Sequence, residues 1–258
     1  MSGIYQHFRP EEKDFIDQVI GWQQYVENTY ADKLTDFLDP RQQFIVRSII
    51  GEQNAVRYQF FGGIDNCERK RALIYPEYMT PDEADYQIGL YEIKYPTKFV
   101  QLDHRMVLGS IMSLGMKRDK FGDILINDEV IQFFLATEIE DFVKINLTQI
   151  GKAKVTIKRC ENELAINTED KWLERDTTVS SLRLDSIISS AYNISRQKAQ
   201  LLIQQGHAKV NWEKIERTSF ECDEGDVLSV RGFGRCTIKQ LQGRTKKDKY
   251  RVKIGLKK

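Results

Sequence analysis

Residues 181–230 read SLRLDSIISSAYNISRQKAQLLIQQGHAKVNWEKIERTSFECDEGDVLSV. Leu184, Ile187, Ile188 and Ala191 recur at the i, i+3, i+4, i+7 spacing of one helical face, and Ala199, Leu202 and Ile203 repeat its shorter form. Two short amphipathic helices are predicted. Ser195 is a natural N-cap ahead of RQKAQLLIQQ, and Gly206 stands where a left-handed residue is wanted after the helix. Beyond Gly206, Ala208 and Val210 alternate with Lys209 and Asn211, so the period changes from helical to extended. Glu224-Gly225-Asp226 then marks a turn into a strand over Val227, Leu228, Ser229 and Val230.

Charge points to what such a small fold would bind. The whole chain of 258 residues carries a net charge of only +1. Residues 181–258, however, hold 17 Lys/Arg against 8 Asp/Glu, a net of +9, which leaves −8 for residues 1–180. A basic terminal module on an acidic body is the footprint of a polyanion-binding attachment. A helix N-terminus adds unpaired backbone N–H groups and a partial positive charge, so the turn Ser195-Arg196-Gln197-Lys198 can meet a phosphate directly. Arg183, at the start of the preceding helix, reaches the same groove, while Gln204, His207, Lys209 and Asn211 offer donors near the helix-to-strand turn. Contacts of this kind read backbone and shape more than base sequence, as expected for folded RNA.

The order Arg183-Leu184-Asp185, Ser195-Arg196, Ala199, Leu202-Ile203, then Gly206-His207-Ala208-Lys209-Val210-Asn211 and Gly225-Asp226-Val227 resembles the S4 RNA-binding domain. Two positions depart from that family. Trp212 stands where glycine often makes a tight turn, so a wider hairpin is expected, and Gln200 stands where a third basic residue is common, which weakens one phosphate contact.

Earlier in the chain, Phe15, Ile16, Val19, Trp22 and Val26 give residues 10–30 a helical stripe. Asp39-Pro40 reads as N-cap and first residue of a second helix ending before Gly51. Extended segments follow at 55–61 and 71–75 around Gly62-Gly63, and Thr80-Pro81-Asp82 marks a boundary. From Tyr86 the pattern becomes β-α-β-β-α-β: strands at 88–93, 123–126, 130–135 and 154–158, with helices at 103–114 and after a capping box of Thr137 and Glu140. The expected fold class is therefore α+β and multi-domain. It comprises an N-terminal α/β subdomain (1–80), a ferredoxin-like domain (81–165), a linker (166–180) and an S4 domain with a basic C-terminal extension (181–258) whose last lysines form a mobile tail. Lys117, Arg118 and Lys120 cluster after the helix over 103–114. They read either as a phosphate-contacting loop or, more simply, as cations complementing a helix C-terminus.

The stretch LGSIMSLGMKRDKFGDI at residues 108–124, inside a ferredoxin-like domain that precedes an S4 domain, resembles the YlmH family of Gram-positive bacteria. That resemblance implies RNA binding on the large ribosomal subunit, through rRNA and peptidyl-tRNA, in ribosome-associated quality control and the rescue of stalled ribosomes. It implies also a link to cell division, which leaves a second reading: a protein-interaction factor of the division machinery with a secondary RNA module. Under either, the acidic N-terminal region is the surface for a protein partner.

Other classes find little support. Pro10 and Glu11-Glu12 interrupt the N-terminus before an apolar run forms, no stretch reaches the roughly 20 apolar residues of a membrane helix, and a cytoplasmic protein without membrane insertion is expected. Cys67, Cys160, Cys222 and Cys236 lack CxxC spacing, so neither zinc nor disulfides are expected. With histidines only at 7, 104 and 207, no metal pair or nucleophile triad suggests itself, and Asp103-His104-Arg105 reads as a helix start. Arg183-Leu184-Asp185 resembles the catalytic triplet of pseudouridine synthases, but it lies within the S4 helix with too little chain after it for their catalytic domain. The nucleotide motifs of tyrosyl-tRNA synthetases are absent. A binding protein without catalysis or cofactor is expected.

Overall fold

A computed structural model describes residues 8, 10–51, 55–127, 130–166 and 172–257. The chain divides into two compact units, residues 1–168 and 169–258.

In the first unit, α1 (Lys13–Thr29) buries Ile16, Val19 and Val26, and stops where Tyr30 turns left-handed at φ 55°. A strand unforeseen from sequence follows, β1 (Lys33–Leu38). Its register slips between Leu34 and Phe37, and that bulge breaks the two-residue alternation by which a strand is recognised. α2 (Pro40–Ile50) has the expected start: the Asp39 carboxylate accepts the Gln42 N–H at 2.9 Å, and the Gln42 side chain accepts the Asp39 N–H at 2.9 Å. β2 (Val56–Phe61) and β3 (Lys70–Pro76) complete an antiparallel sheet of order β1-β3-β2. The helices pack on it through Ile16, Val19, Ile45, Val46 and Ile74.

The predicted β-α-β-β-α-β order is present as β4 (Ile88–Lys94), α3 (His104–Ser113), β5 (Phe121–Asn127), β6 (Val130–Ala136), α4 (Glu140–Asn146), a small hairpin of β7 (Gln149–Ile150) and β8 (Ala153–Lys154), and β9 (Thr156–Cys160). The sheet order β5-β6-β4-β9 is that of a ferredoxin-like fold. α3 begins at Asp103, whose carboxylate accepts the Met106 N–H at 2.7 Å. The capping box at Thr137 and Glu140 does not form. Thr137 sits in a 3-10 turn and donates its hydroxyl and its N–H to the Gln87 carbonyl, at 3.2 and 2.9 Å, so a tertiary bond to the start of β4 replaces the local one.

Both faces of this sheet are covered. Tyr91, Ile93, Phe133 and Leu135 pack with Val107 and Ile111 of α3 and Val143 of α4. Leu90, Phe134 and Ala136, pointing the other way, share a core with Phe37, Leu73 and Cys67 from the preceding segment. Residues 1–80 and 81–165 thus lie in one compact unit, because the sheet of the second has an apolar back that only the first buries.

The second unit is an antiparallel sheet of order β10-β15-β14-β13-β11-β12. Its elements are β10 (Trp172–Val179), α5 (Leu184–Tyr192), α6 (Arg196–Gln204), β11 (Ala208–Val210), β12 (Glu213–Lys214), β13 (Val227–Val230), β14 (Gly234–Arg244) and β15 (Tyr250–Lys257). Leu184, Ile187, Ile188, Ala199 and Ile203 of the helices pack on Ala208, Leu228, Val230, Cys236, Val252 and Ile254, which leaves the opposite face of the sheet without a helix. Two expectations are corrected here. Of the linker at 166–180, residues 167–171 lie outside the described residues, but 172–179 form β10, paired residue for residue with β15 from Trp172↔Lys257 to Val179↔Tyr250. The basic C-terminal extension is not a mobile tail as far as Lys257: ladder bonds to β10 and β14 on either side order it. Lys258 lies outside the described residues.

Gly63 tests the shared core of the first unit. It sits at φ +104°, and a Cβ there would fall 2.2 Å from the Phe134 ring. Gly63→Ala should lower stability by about 2 kcal/mol or more, through backbone strain and overpacking together. Urea denaturation should show one transition for this unit, moved to lower midpoint.

Candidate nucleic-acid interface

The site is organised by a carboxylate that no solvent reaches. Asp185, in the first turn of α5, is 0% exposed. It accepts from Arg196 Nε at 2.9 Å and Nη2 at 3.2 Å, from Gln200 Nε2 at 2.7 Å and from Arg183 Nε at 3.4 Å. Burial pushes its pKa up, but the bonds from Arg196 and Gln200 and the charges of Arg196 and Arg183 outweigh burial and hold it below the usual aspartate value. Arg183 and Arg196, expected as free phosphate ligands, are therefore drawn to one point by an internal anion. Their side chains remain 38% and 48% exposed, and two arginines against one aspartate leave a single positive charge at the surface. Gln200, in place of a basic residue, spends its amide on the same carboxylate.

The N-terminus of α6 lies beside this cluster. Ser195 caps it by accepting the Lys198 N–H at 3.2 Å. Gln197 and Lys198 are exposed, and the Lys198 ammonium lies 5.3 Å from the centre of the Phe233 ring, which packs on Tyr192. The helix dipole and the first-turn N–H groups of α6 thus open beside Arg196.

The remaining expected ligands do not join them. Gln204 ends α6, about 12 Å along the helix from Arg196. His207 is half-buried, its backbone N–H donating to the Leu202 carbonyl and its own carbonyl accepting from Arg231, both at 2.9 Å. Lys209 is on the open face of the sheet, opposite Lys214 on one side and Ser229 on the other. Asn211 is committed to structure: its amide donates to Asp226 at 2.8 Å and accepts the Val227 N–H at 2.9 Å. It opens a two-residue turn between the paired residues Val210 and Glu213, with Asn211 at φ 48° and Trp212 at φ 65°. The hairpin is thus tight, not wide. Trp212 takes the left-handed conformation where glycine would be easier, and the Arg235 guanidinium lies 5.7 Å from its ring centre.

Elsewhere the candidates resolve as structure. Arg118 donates to the carbonyls of Phe121 at 2.6 Å and Gly122 at 3.1 Å, while Lys120 pairs with Asp36 at 2.6 Å and with Glu138. Arg118 and Lys120 thus stitch the first unit together, while Lys117 is exposed. Because both faces of the ferredoxin-like sheet are covered, that sheet cannot stack bases as an open RNA-recognition sheet does. Among the described residues no cluster of His, Cys, Asp and Glu could hold a metal. Residues missed by sequence reasoning are those on the open face of the second sheet, among them Trp172, Lys239, Lys253 and Lys257; the alternation Arg251, Lys253, Gly255, Lys257 was the signal that could have found them.

Comparison with known proteins matches both units to described families. The family described as "Putative RNA-binding domain in YlmH" matches residues 81–163, and the S4 domain matches residues 182–228. The chain is 47% identical over 253 residues to the ribosome-associated protein quality control protein P2 of Bacillus subtilis (strain 168), a match spanning 98% of each chain. Over 59 residues, 22% of this chain and 29% of the relative, it is 37% identical to the small ribosomal subunit protein uS4A of Clostridium novyi (strain NT). Among solved structures, the cell division protein ylmH from Streptococcus pneumoniae is similar with a TM-score of 0.55 and 33% identity, covering 64% of this chain and 100% of that one.

The depressed Asp185 carboxyl gives a signed pH dependence. Its contribution to stability is present above the aspartate pKa of the unfolded chain and is lost as pH falls through its lower folded value, since protonation then favours the unfolded state. Asp185→Asn should cost about 2 kcal/mol at neutral pH, by removing the charged acceptor of the bonds from Arg196 and Gln200, and should flatten the acid limb of the stability curve. Urea midpoints of both proteins between neutral and strongly acidic pH measure this directly.

Proposed function

The chain belongs to the YlmH family, and from that premise we propose that it binds structured RNA of the large ribosomal subunit and acts there in ribosome-associated quality control and the rescue of stalled ribosomes. The observation that carries this reading is that Arg183 and Arg196 lie beside the capped N-terminus of α6, both already held in place by Asp185. Arginines fixed in advance lose little side-chain freedom on meeting a phosphate, so the site is suited to a defined RNA backbone rather than to any polyanion. Base-specific reading is not needed. A duplex or junction offers phosphates at fixed spacing, which a rigid cluster can match.

Under this proposal the protein works by binding and not by catalysis, needs no cofactor, and resides in the cytoplasm with the ribosome. No helix among the described residues is long and apolar enough to cross a membrane. Contact with the peptidyl-tRNA falls to the same basic unit, and the acidic first unit, net −6 over residues 1–168, is the side offered to a protein partner. The name of the pneumococcal neighbour favours a second reading, in which the protein serves the division machinery and RNA binding is secondary. Sedimentation of the cellular protein through a sucrose gradient separates the two, because only the first places most of it with large subunits.

Binding to purified large subunits should weaken steeply with salt, with a log–log slope of roughly −0.7 to −0.9 for each neutralised phosphate. Lys198→Ala, at the exposed rim of the site, should reduce that slope by about one, while Lys13→Ala on α1 leaves it unchanged. Co-sedimentation at graded salt checks both. A salt-independent complex would refute the assignment.

A further inference from the structure

The face of the second sheet turned away from α5 and α6 carries an arrangement that the helical site does not use. Trp172 on β10 belongs to no apolar cluster among the described residues. It lies instead on the open face, paired with Lys257, with the ammonium groups of Lys257 and Lys239 at 5.8 and 5.3 Å from its ring centre. Gly255 leaves the space for it: a Cβ there would come within 3.0 Å of Trp172 Cβ and 3.2 Å of Lys239 Cε. Trp172 is half-buried without joining a core, and placing two lysines about its ring makes the spot basic as well as flat.

The same face continues across the strands. Arg235 is opposite Ser229, which is opposite Lys209, so these three share the open side in one row. Arg235 is on β14, two strands from Trp172, a separation of about 10 Å at the usual strand spacing. Its guanidinium accompanies the Trp212 ring as the lysines accompany Trp172. Glu174 and Asp176 on β10 are acids of this face; Glu174, next to Trp172 on it and opposite Gly255, is 3.9 Å from the Lys253 ammonium, and Asp176 is opposite Lys253.

We propose that this open face is a second RNA contact, one that takes an unstacked, single-stranded segment with a base on the Trp172 indole and its phosphates at Lys239, Lys257 and Arg235. Aromatic platforms between cations bind single strands because every base has a π-face and every linkage a negative charge. An acidic peptide would match the charge but gain nothing specific from the indole. The inference rests on the reading of this chain as an RNA binder, yet it assigns a different ligand form to a different face.

The full-length chain holds three tryptophans, so Trp22→Phe with Trp212→Phe leaves Trp172 as the reporter. A single-stranded oligouridylate of about 12 nucleotides, within the usual site sizes for such surfaces, should quench its emission at low salt. With a fluorescein label on the oligonucleotide and binding read by its anisotropy in the otherwise unmodified chain, Lys239→Ala with Lys257→Ala should weaken binding about tenfold, as should Trp172→Leu, whereas Trp172→Phe keeps a ring and most of the affinity. Equal urea midpoints for the leucine and phenylalanine variants keep folding out of the comparison. An emission unchanged by saturating oligonucleotide, or equal affinity for the leucine variant, overturns the proposal. Equal competition by polyglutamate also overturns it, and assigns the face to an acidic protein. Co-sedimentation of the unmodified chain with large subunits is read in parallel: its absence defeats the ribosomal reading, whereas its presence with an unresponsive Trp172 defeats only this second contact.

Discussion

A carboxylate shut away from water stays charged only if its neighbours supply what water would have supplied, and Asp185 shows how much structure that requirement commands. Three side chains from two helices turn inward to meet it: Arg183 from the start of α5, Arg196 and Gln200 from α6. The orientation of both guanidinium groups beside the capped α6 terminus follows from one ion. The surface that results is basic, rigid and small. Without Asp185 the same two arginines would be long cations free to sweep solvent, and the RNA would have to order them.

The two sheets of the molecule illustrate opposite uses of one kind of surface. In the first unit the ferredoxin-like sheet is apolar on both sides, with α3 and α4 on one and the core shared with Phe37 and Leu73 on the other. Neither face is left open. In the second unit the helices cover one side alone, and the uncovered side alternates lysine and arginine with the inward-facing valines and isoleucines of β14 and β15. A sheet whose strands obey a two-residue period presents one charged face at no cost to its core. The basic C-terminal segment is therefore both a structural strand pair and a charged surface.

Ordered ends matter to how such a protein binds. Lysines on a mobile tail would attract any polyanion through charge alone, whereas Lys239 and Lys257, fixed beside Trp172, present their charges at a set spacing. Under the two proposals the helical site and the sheet face differ in what they fit: the first matches the backbone of folded RNA, the second a strand with its bases turned out.

Much of this was legible in the linear chain. The stripe Leu184, Ile187, Ile188, Ala191, the caps Asp39, Asp103 and Ser195, and the β-α-β-β-α-β order each depend on residues a few positions apart, and each element appears in the structure near its predicted place. The net charge of +9 in residues 181–258 is likewise a property of composition alone. What depended on distant partners was not legible. β1 is a strand because β3 pairs with it across a bulge, and β10 is one because β15, some eighty residues later, supplies its ladder. Thr137 left its expected cap for the Gln87 carbonyl, and Asn211 gave its amide to Asp226 and Val227, so a local reading assigned both to the wrong partner. The sequence by itself determined which helices form and that the C-terminal portion is basic, because propensity, capping and charge are local quantities. Only the tertiary structure decided which cations are tied to Asp185 and which stand on an open sheet, because a side chain's partners are set by chain segments that meet in space and not in sequence.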